Sequence, residues 1–435
     1  MKKIFPFILL GGVLIYGCAK YDDAPTRPTY DGSFPINSMV TIGNSLTAGF
    51  QSGALFLDGQ NGSFGDLIAE QLNLGPLTHV NVDYPGISST PGYGRMELVF
   101  GAGGADLVTT VYDTVTFDPT PLLSNLTYPA PYSNLGVPGA LLQECLTAVD
   151  AATSLAGNSF FEFIMRGLGT QLQQAITLDP DLATFWLGNN DILGYALSGG
   201  MSPMGPFGAD FATFYGLALD SLASHIDYVA VANIPDILSI PYATYLGTSY
   251  AGMQLYGEVQ GEVIALRAGE DYVLLTAKEE LAMGLGFSPL APLTDLVVLD
   301  ATEAELVTTT TSEYNAIIAA TVAALNEGRA YEIVLVDLNS YFGDLAYNGY
   351  MVAGTLLTTE FISGGLFSLD GVHPGYIGYA LIANQFIAAM NSGWSLAIEQ
   401  VDVADYLDRN PVFAPIAPED LHIQTGFNTI IHDLF

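Results

Sequence analysis

A chain of 435 residues, half of them hydrophobic and only 13% charged, can bury a substantial core and is too apolar to be disordered. Its 45 acidic residues against 10 basic ones give a formal charge of −35. Such a surface repels phosphate backbones and anionic membranes, which sets nucleic-acid binding aside.

The first residues read as a leader. Lys2 and Lys3, an apolar run from Ile4 to Ile15, and Tyr16-Gly17-Cys18 form a secretion signal whose hydrophobic stretch is too short to span a bilayer comfortably. Its end resembles a bacterial lipoprotein signal, which implies removal of residues 1–17 and lipidation of Cys18 as the new N-terminus. An ordinary signal peptide or a short anchor are the other readings. By the same resemblance, Ala19 and Lys20 lack the aspartate of inner-membrane retention, so the expected location is the cell envelope, at the outer membrane of a Gram-negative cell. A lipidated Cys18 leaves Cys145 as the only other cysteine and no intrachain disulfide. From Cys18 to Asn37 the Pro-, Asp-, Thr- and Tyr-rich composition suits a tether.

The folded domain is expected over residues 38–391. Met39-Val40-Thr41-Ile42 is an apolar, β-branched run of the kind that forms a buried strand; it breaks at Gly43, and Ser45 follows two residues later. A strand ending in a hydroxyl is a candidate nucleophile if a base and oxyanion donors converge on it, and an ordinary turn if they do not. Phe64, Leu67, Ile68 and Leu72 then fall at helical spacing behind Ser63, with Asp66 three residues on, and Gly75-Pro76 ends the run. Residues 75–133, rich in Gly, Pro and Tyr, read as an insertion near the site, with extended structure or a hairpin over Leu107–Phe117. A short strand enters the loop at Pro138-Gly139-Ala140, and a helix is expected from Phe160 to Ile176 with Leu168, Leu172 and Ile176 on one face.

Leu182–Leu187 is the next strand, ended by Gly188-Asn189-Asn190-Asp191; Phe211–Ile226 is a helix, Tyr228–Asn233 a strand. Residues 242–306 fit no simple alternation and read as a second insertion. Tyr314–Leu325 is helical, Glu332–Asp337 a strand and Tyr376–Met390 a last helix, leaving a tail over 392–435 whose role is not legible. Strand–helix units with short apolar strands predict an α/β fold, a parallel sheet covered on both faces.

In such a sheet, residues just beyond the carboxyl ends of the strands are those that converge. They are Ser45, Gly139 and Asn190, joined by Asp370-Gly371-Val372-His373 before the last helix. An aspartate three residues before a histidine can reach its ring across one tight turn and fix the tautomer that accepts the serine proton. His79, His225, His422 and His432 lack such a context and read as ordinary core or surface residues. No HExxH, CxxC or phosphate-loop pattern is present, so no metal or cofactor is expected.

Four blocks in order, Gly43-Asn44-Ser45-Leu46, Asn134-Leu135-Gly136-Val137-Pro138-Gly139, Gly188-Asn189-Asn190-Asp191 and Asp370-Gly371-Val372-His373, resemble those of the SGNH hydrolases, also called GDSL esterases and lipases. The resemblance implies a three-layer α/β/α sandwich around a mostly parallel five-stranded sheet. It implies Ser45 as nucleophile, His373 as general base and then acid, and Asp370 as its orienting partner. The oxyanion hole is implied at the Ser45 and Gly139 N–H groups and the Asn190 amide. Asn44 departs from the usual aspartate, and the spacing from Ser45 to Gly139 exceeds that of small members. The expected activity is hydrolysis of carboxylic esters of small molecules, lipids or glycans; a polysaccharide O-deacetylase with the same residues, or a non-catalytic surface module of the same fold, are the alternatives.

Overall fold

The computed structural model describes residues 36–101, 104–112, 116–409 and 416–423. The leader, Cys18, most of the tether and His432 lie outside the described residues. Five apolar segments make the central sheet: β1 (Met39–Gly43), β2 (Asn134–Gly136), β3 (Leu182–Trp186), β4 (Tyr228–Ala232) and β5 (Val334–Val336). They lie in the order β5-β4-β3-β1-β2, and every pairing is parallel. Gly43 stands opposite both Gly136 and Trp186 in the register. Winding reverses at β1, so the crevice beyond its carboxyl end is the switch point where α/β sheets bind ligands.

The strands read as continuous apolar runs because both faces are covered: every residue of β1, β3 and β4 is buried. The helices that matter here are α1 (Ser45–Ala48), α2 (Phe64–Gln71), α3 (Gln171–Thr177), α4 (Asn190–Leu197), α5 (Gly208–Ala223), α6 (Ala301–Leu325), α7 (Leu338–Asn348) and α8 (Tyr376–Trp394). Alternation along β3 sends successive aromatics to opposite layers. Trp186 meets Phe64 of α2 and Phe386 of α8, which stack on each other at 4.8 Å, while Phe185 meets Tyr215 of α5 edge-on at 5.5 Å. Helices α2 and α8 form one layer and α3, α5 and α6 the other.

Ser63 caps α2 as its sequence suggests: its hydroxyl accepts from Asp66 N–H. The Asp66 carboxylate turns outward from the helix start, taking the Ser63 hydroxyl and the N–H of Leu77. Some boundaries differ from the sequence reading. The single helix expected over Phe160–Ile176 is two, Phe160–Met165 and α3, broken at Arg166, which adopts a left-handed conformation at φ 54°. The Arg166 guanidinium leaves the helix line to donate to the carbonyls of Tyr128 and Ala130 and to stack on Tyr132 at 3.8 Å. Leu168 is exposed, and Thr170 with Gln173 starts α3 afresh through a capping box.

Helix α6 begins at Ala301, thirteen residues before the Tyr314 expected, so the second insertion is shorter than 242–306. The β-branched run Thr308–Thr311 disguised the first half; there the Thr308 and Thr311 hydroxyls bond carbonyls four residues back, and Asp300 with Glu303 forms the capping box. Likewise residues 392–394 complete α8 instead of opening the tail.

The first insertion carries a hairpin, Tyr93–Gly101 with Gly104–Val111, placed earlier than the extended stretch expected over Leu107–Phe117, of which only Leu107–Val111 lies in it. The second builds its own small core around Leu255, Val273, Leu293 and Val298. The tail joins them. Leu421–Ile423 adds a parallel strand beside Ala105–Leu107, while the carbonyls of Ile416 and Pro418 accept from Tyr245, Tyr250 and Lys278 of the second insertion. Among the described residues no helix is long and apolar enough to cross a membrane.

Candidate active site

Ser45 is held where β1 ends because the chain must turn there without room for side chains. A Cβ on Gly43 would strike Thr47 and the Trp186 carbonyl, and one on Gly136 would strike the backbone of Ala48. Asn44 caps α1 by accepting from Leu46 N–H at 3.0 Å, leaving its own Nδ2 without a partner among the described residues. Asn44 thus supplies a side-chain cap where the resemblance has aspartate. Gln171 of α3 pins the strand ends, donating from Nε2 to the carbonyls of Gly43 and Leu135.

Three side chains from opposite ends of the chain meet here. His373 Nε2 lies 2.9 Å from Ser45 Oγ, and His373 Nδ1 lies 3.0 Å from Asp370 Oδ2. All three are buried. Asp370 also accepts from the N–H groups of Gly53 (2.9 Å), Val372 (2.9 Å) and His373 (2.8 Å) and from Ser368 Oγ (3.1 Å). Burial alone pushes this carboxyl up, but the neighbouring imidazole and these donors outweigh it and hold it below the usual carboxylate range. An ionised carboxylate only accepts, so Nδ1 carries the proton and Nε2 is left to accept from the serine hydroxyl. The ring packs against Phe50 at 4.9 Å, and buried Tyr379 holds Phe50 by donating to its carbonyl.

Of the oxyanion donors expected from the sequence, Ser45 and Asn190 line the crevice, and Gly139 lies in the turn next to Asn190. Ser45 opens α1, so its N–H is among the first-turn groups with no intrahelical acceptor. Gly139, at φ 78°, sits in the turn closed by Ala140 N–H on the Val137 carbonyl. The Asn190 amide donates to the Ala140 carbonyl at 3.0 Å, which sets it beside that turn and leaves its second N–H. The turn is gripped further along. Glu144 takes the N–H of Leu141 at 2.8 Å and Asp191 that of Leu142 at 3.0 Å. Asp191 is wholly buried, and desolvation drives its carboxyl up to about 7 against that hydrogen bond. Cys145 beside it is free and buried, its thiol pushed up by desolvation first and by Asp191 and Glu144 after it.

The crevice over Ser45 is narrow, with a volume of about 60 Å³, and its walls are apolar: Trp186, Leu193, Ile237, Ile240, Phe342 and Phe367. Sequence reading missed these walls. Ile237 and Ile240 follow the carboxyl end of β4, a position that could have flagged them; Phe342 and Phe367 carry no such signal. It also missed Gly53 and Ser368, whose roles depend on the folded loops. The second insertion reaches the site through Tyr242, whose N–H donates to the Gly371 carbonyl inside the Asp370–His373 turn.

The other described histidines stay apart from this cluster. His79 is buried with Nδ1 on the Val80 carbonyl, His225 bonds the Ser221 carbonyl, and His422 sits 3.2 Å from Asp106. Such an arrangement suits attack by an alkoxide-like serine on an acyl carbonyl, with proton transfer through the imidazole.

The family model described as GDSL-like Lipase/Acylhydrolase matches residues 39–386. No curated protein matches the chain in sequence. Among solved structures, the chain is similar to LAE5, an α/β hydrolase enzyme from the metagenome of Lake Arreo, Spain. Identity is 12% and the TM-score 0.37, over 82% of this chain and 97% of that one. It is also similar to a variant of Axe2, an acetyl xylan esterase from Geobacillus stearothermophilus. There identity is 12% and the TM-score 0.35, over 82% and 96% of the two chains.

Proposed function

Because the chain belongs to the GDSL-like lipase/acylhydrolase family, we propose that it is a serine esterase that hydrolyses carboxylic esters through an acyl-enzyme on Ser45. The observation that carries this reading is the unbroken line from Asp370 through His373 to Ser45, at 3.0 Å and 2.9 Å, in a buried setting. In the reaction His373 takes the serine proton as Oγ attacks the ester carbonyl. The oxyanion forms against the N–H groups of Ser45 and Gly139 and the Asn190 amide. The proton then passes to the departing alcohol, and water activated by the same imidazole releases the acid. Asp370 stays ionised throughout and stabilises the imidazolium.

Size argues for short acyl groups. At about 60 Å³ the crevice over Ser45 is far below the roughly 300 Å³ of the smaller ligand pockets, and its apolar walls suit a few carbons. Initial rates on p-nitrophenyl esters from acetate to palmitate test both parts. Rates should fall as the acyl chain lengthens, and Ser45→Ala should lower kcat by about 10⁶-fold. A Ser45→Ala protein retaining the wild-type rate would sink the proposal, and a maximum at long chains would replace a small-acyl esterase with a lipase. We further propose, from the leader alone, that the enzyme is held at the cell envelope through lipidated Cys18. Cys18→Ala should then move it from the detergent phase to the aqueous phase on Triton X-114 partition, and an unchanged partition would reject the anchor.

A further inference from the structure

A second cleft lies behind the catalytic loop, divided from the first by Phe367, which lines both. Its volume of about 380 Å³ is within the range of ligand pockets and several times that over Ser45. Its walls come from parts of the chain far apart in sequence. Gln51 and Phe56 follow α1, Arg95 and Glu97 belong to the first insertion's hairpin, Tyr376 opens α8, and Arg409 stands in the tail.

The chemistry of these walls is specific. In a chain of charge −35 two arginines come together here, yet each is already matched by a carboxylate. Arg95 Nε and Nη2 both reach Glu97 Oε1, at 3.3 Å and 3.0 Å, and Arg409 Nη1 reaches Asp58 Oδ1 at 3.2 Å. Both guanidinium groups lie over aromatic rings, Arg95 over Phe56 at 5.1 Å and Arg409 over Tyr376 at 4.6 Å. The cleft therefore offers flat amphipathic plates edged by donors and acceptors in charge-matched pairs.

A phosphate or carboxylate ligand would compete with Glu97 and Asp58 and approach against the field of the whole molecule. A neutral polyhydroxylated ring meets neither obstacle. Its C–H faces suit these plates and its hydroxyls suit the paired donors and acceptors. We propose that this cleft binds a neutral sugar unit of an uncharged glycan, whose small acyl group, carried on a neighbouring unit of the same chain, enters the crevice over Ser45. This deepens the esterase reading and rests on it for the acyl half only.

Binding is measured on the full chain carrying Ser45→Ala, so that hydrolysis plays no part. Titration calorimetry would use neutral xylo-, manno-, cello- and chito-oligosaccharides beside an oligogalacturonate. At least one neutral series should bind, with affinity lowered at least tenfold when Arg409→Ala or Glu97→Gln is added; near-ultraviolet circular dichroism and the melting temperature confirm that both variants fold. In chains that retain Ser45, either substitution should raise KM for the O-acetylated form of that oligosaccharide at least tenfold more than it changes KM for p-nitrophenyl acetate. No neutral oligosaccharide bound, equal affinity in folded variants, or binding of the oligogalacturonate alone would each overturn the proposal. Failure of the esterase reading shows separately, as a wild-type enzyme inert on p-nitrophenyl acetate, while the titration still decides the cleft.

Discussion

Two carboxylates in the candidate site are equally buried and are driven in opposite directions. Asp370 receives five donors in all and is held below the usual range, so its contribution to stability is present at neutral pH and is lost as pH falls through that depressed value. Asp191 gains less than its desolvation costs, and its folded value rises from 3.8 to about 7. A raised acid favours the folded chain most below its unfolded value, and that favour disappears as pH climbs through the folded one. The displacement amounts to roughly 4 kcal/mol. Asp191→Asn keeps an acceptor for Leu142 N–H and removes the titration. The melting temperature of the variant minus that of wild type should therefore become more positive between pH 5 and pH 8, and a difference that does not change with pH would show that Asp191 is not held in this way. Because Asp191 secures the turn beyond Gly139, the same variant reports whether its charge matters to the oxyanion donors.

Elements position these residues through close backbone approach, and β2 is the clearest case. Gly136 ends that strand against the backbone of Thr47 and Ala48, with no flexible side chain available to yield. Gly136→Ala should cost about 2 kcal/mol in urea denaturation and lower kcat by displacing α1 and with it Ser45; an unchanged midpoint and rate would contradict the packing described. The strands were legible in sequence because burial on both faces leaves uninterrupted apolar runs such as Tyr228–Ala232. Ser45, His373 and Asp370 were legible because each follows a strand or a tight turn with fixed spacing. What escaped reading depended on partners remote in the chain. Arg166 breaks a helix to reach carbonyls some 36 to 40 residues away, and the Thr308–Thr311 run sits in a helix where Thr310 and Thr311 are buried and the Thr308 and Thr311 hydroxyls fold back on the helix. Gly53 acquires a role only when Asp370, 317 positions on, arrives beside it.

On the scale of the whole molecule, 45 acidic residues against 10 basic ones leave a large excess of negative charge. Self-repulsion of this size is relieved by counterions, with a Debye length that shrinks from about 30 Å at 0.01 M to about 10 Å at 0.1 M salt. The melting temperature should rise between 10 mM and 500 mM sodium chloride, and a flat or falling profile would mean that the acidic groups are already compensated within the fold. The pairing of Leu421–Ile423 with Ala105–Leu107 bears on the history of the chain as it is made. His422 meets Asp106 across 316 positions, so for most of synthesis the Gly104–Val111 strand stands at an open sheet edge, its N–H and C=O groups free to recruit another strand. Completion of this small sheet thereby waits for the tail: until residues 421–423 arrive, Ala105–Leu107 has no parallel partner on that side.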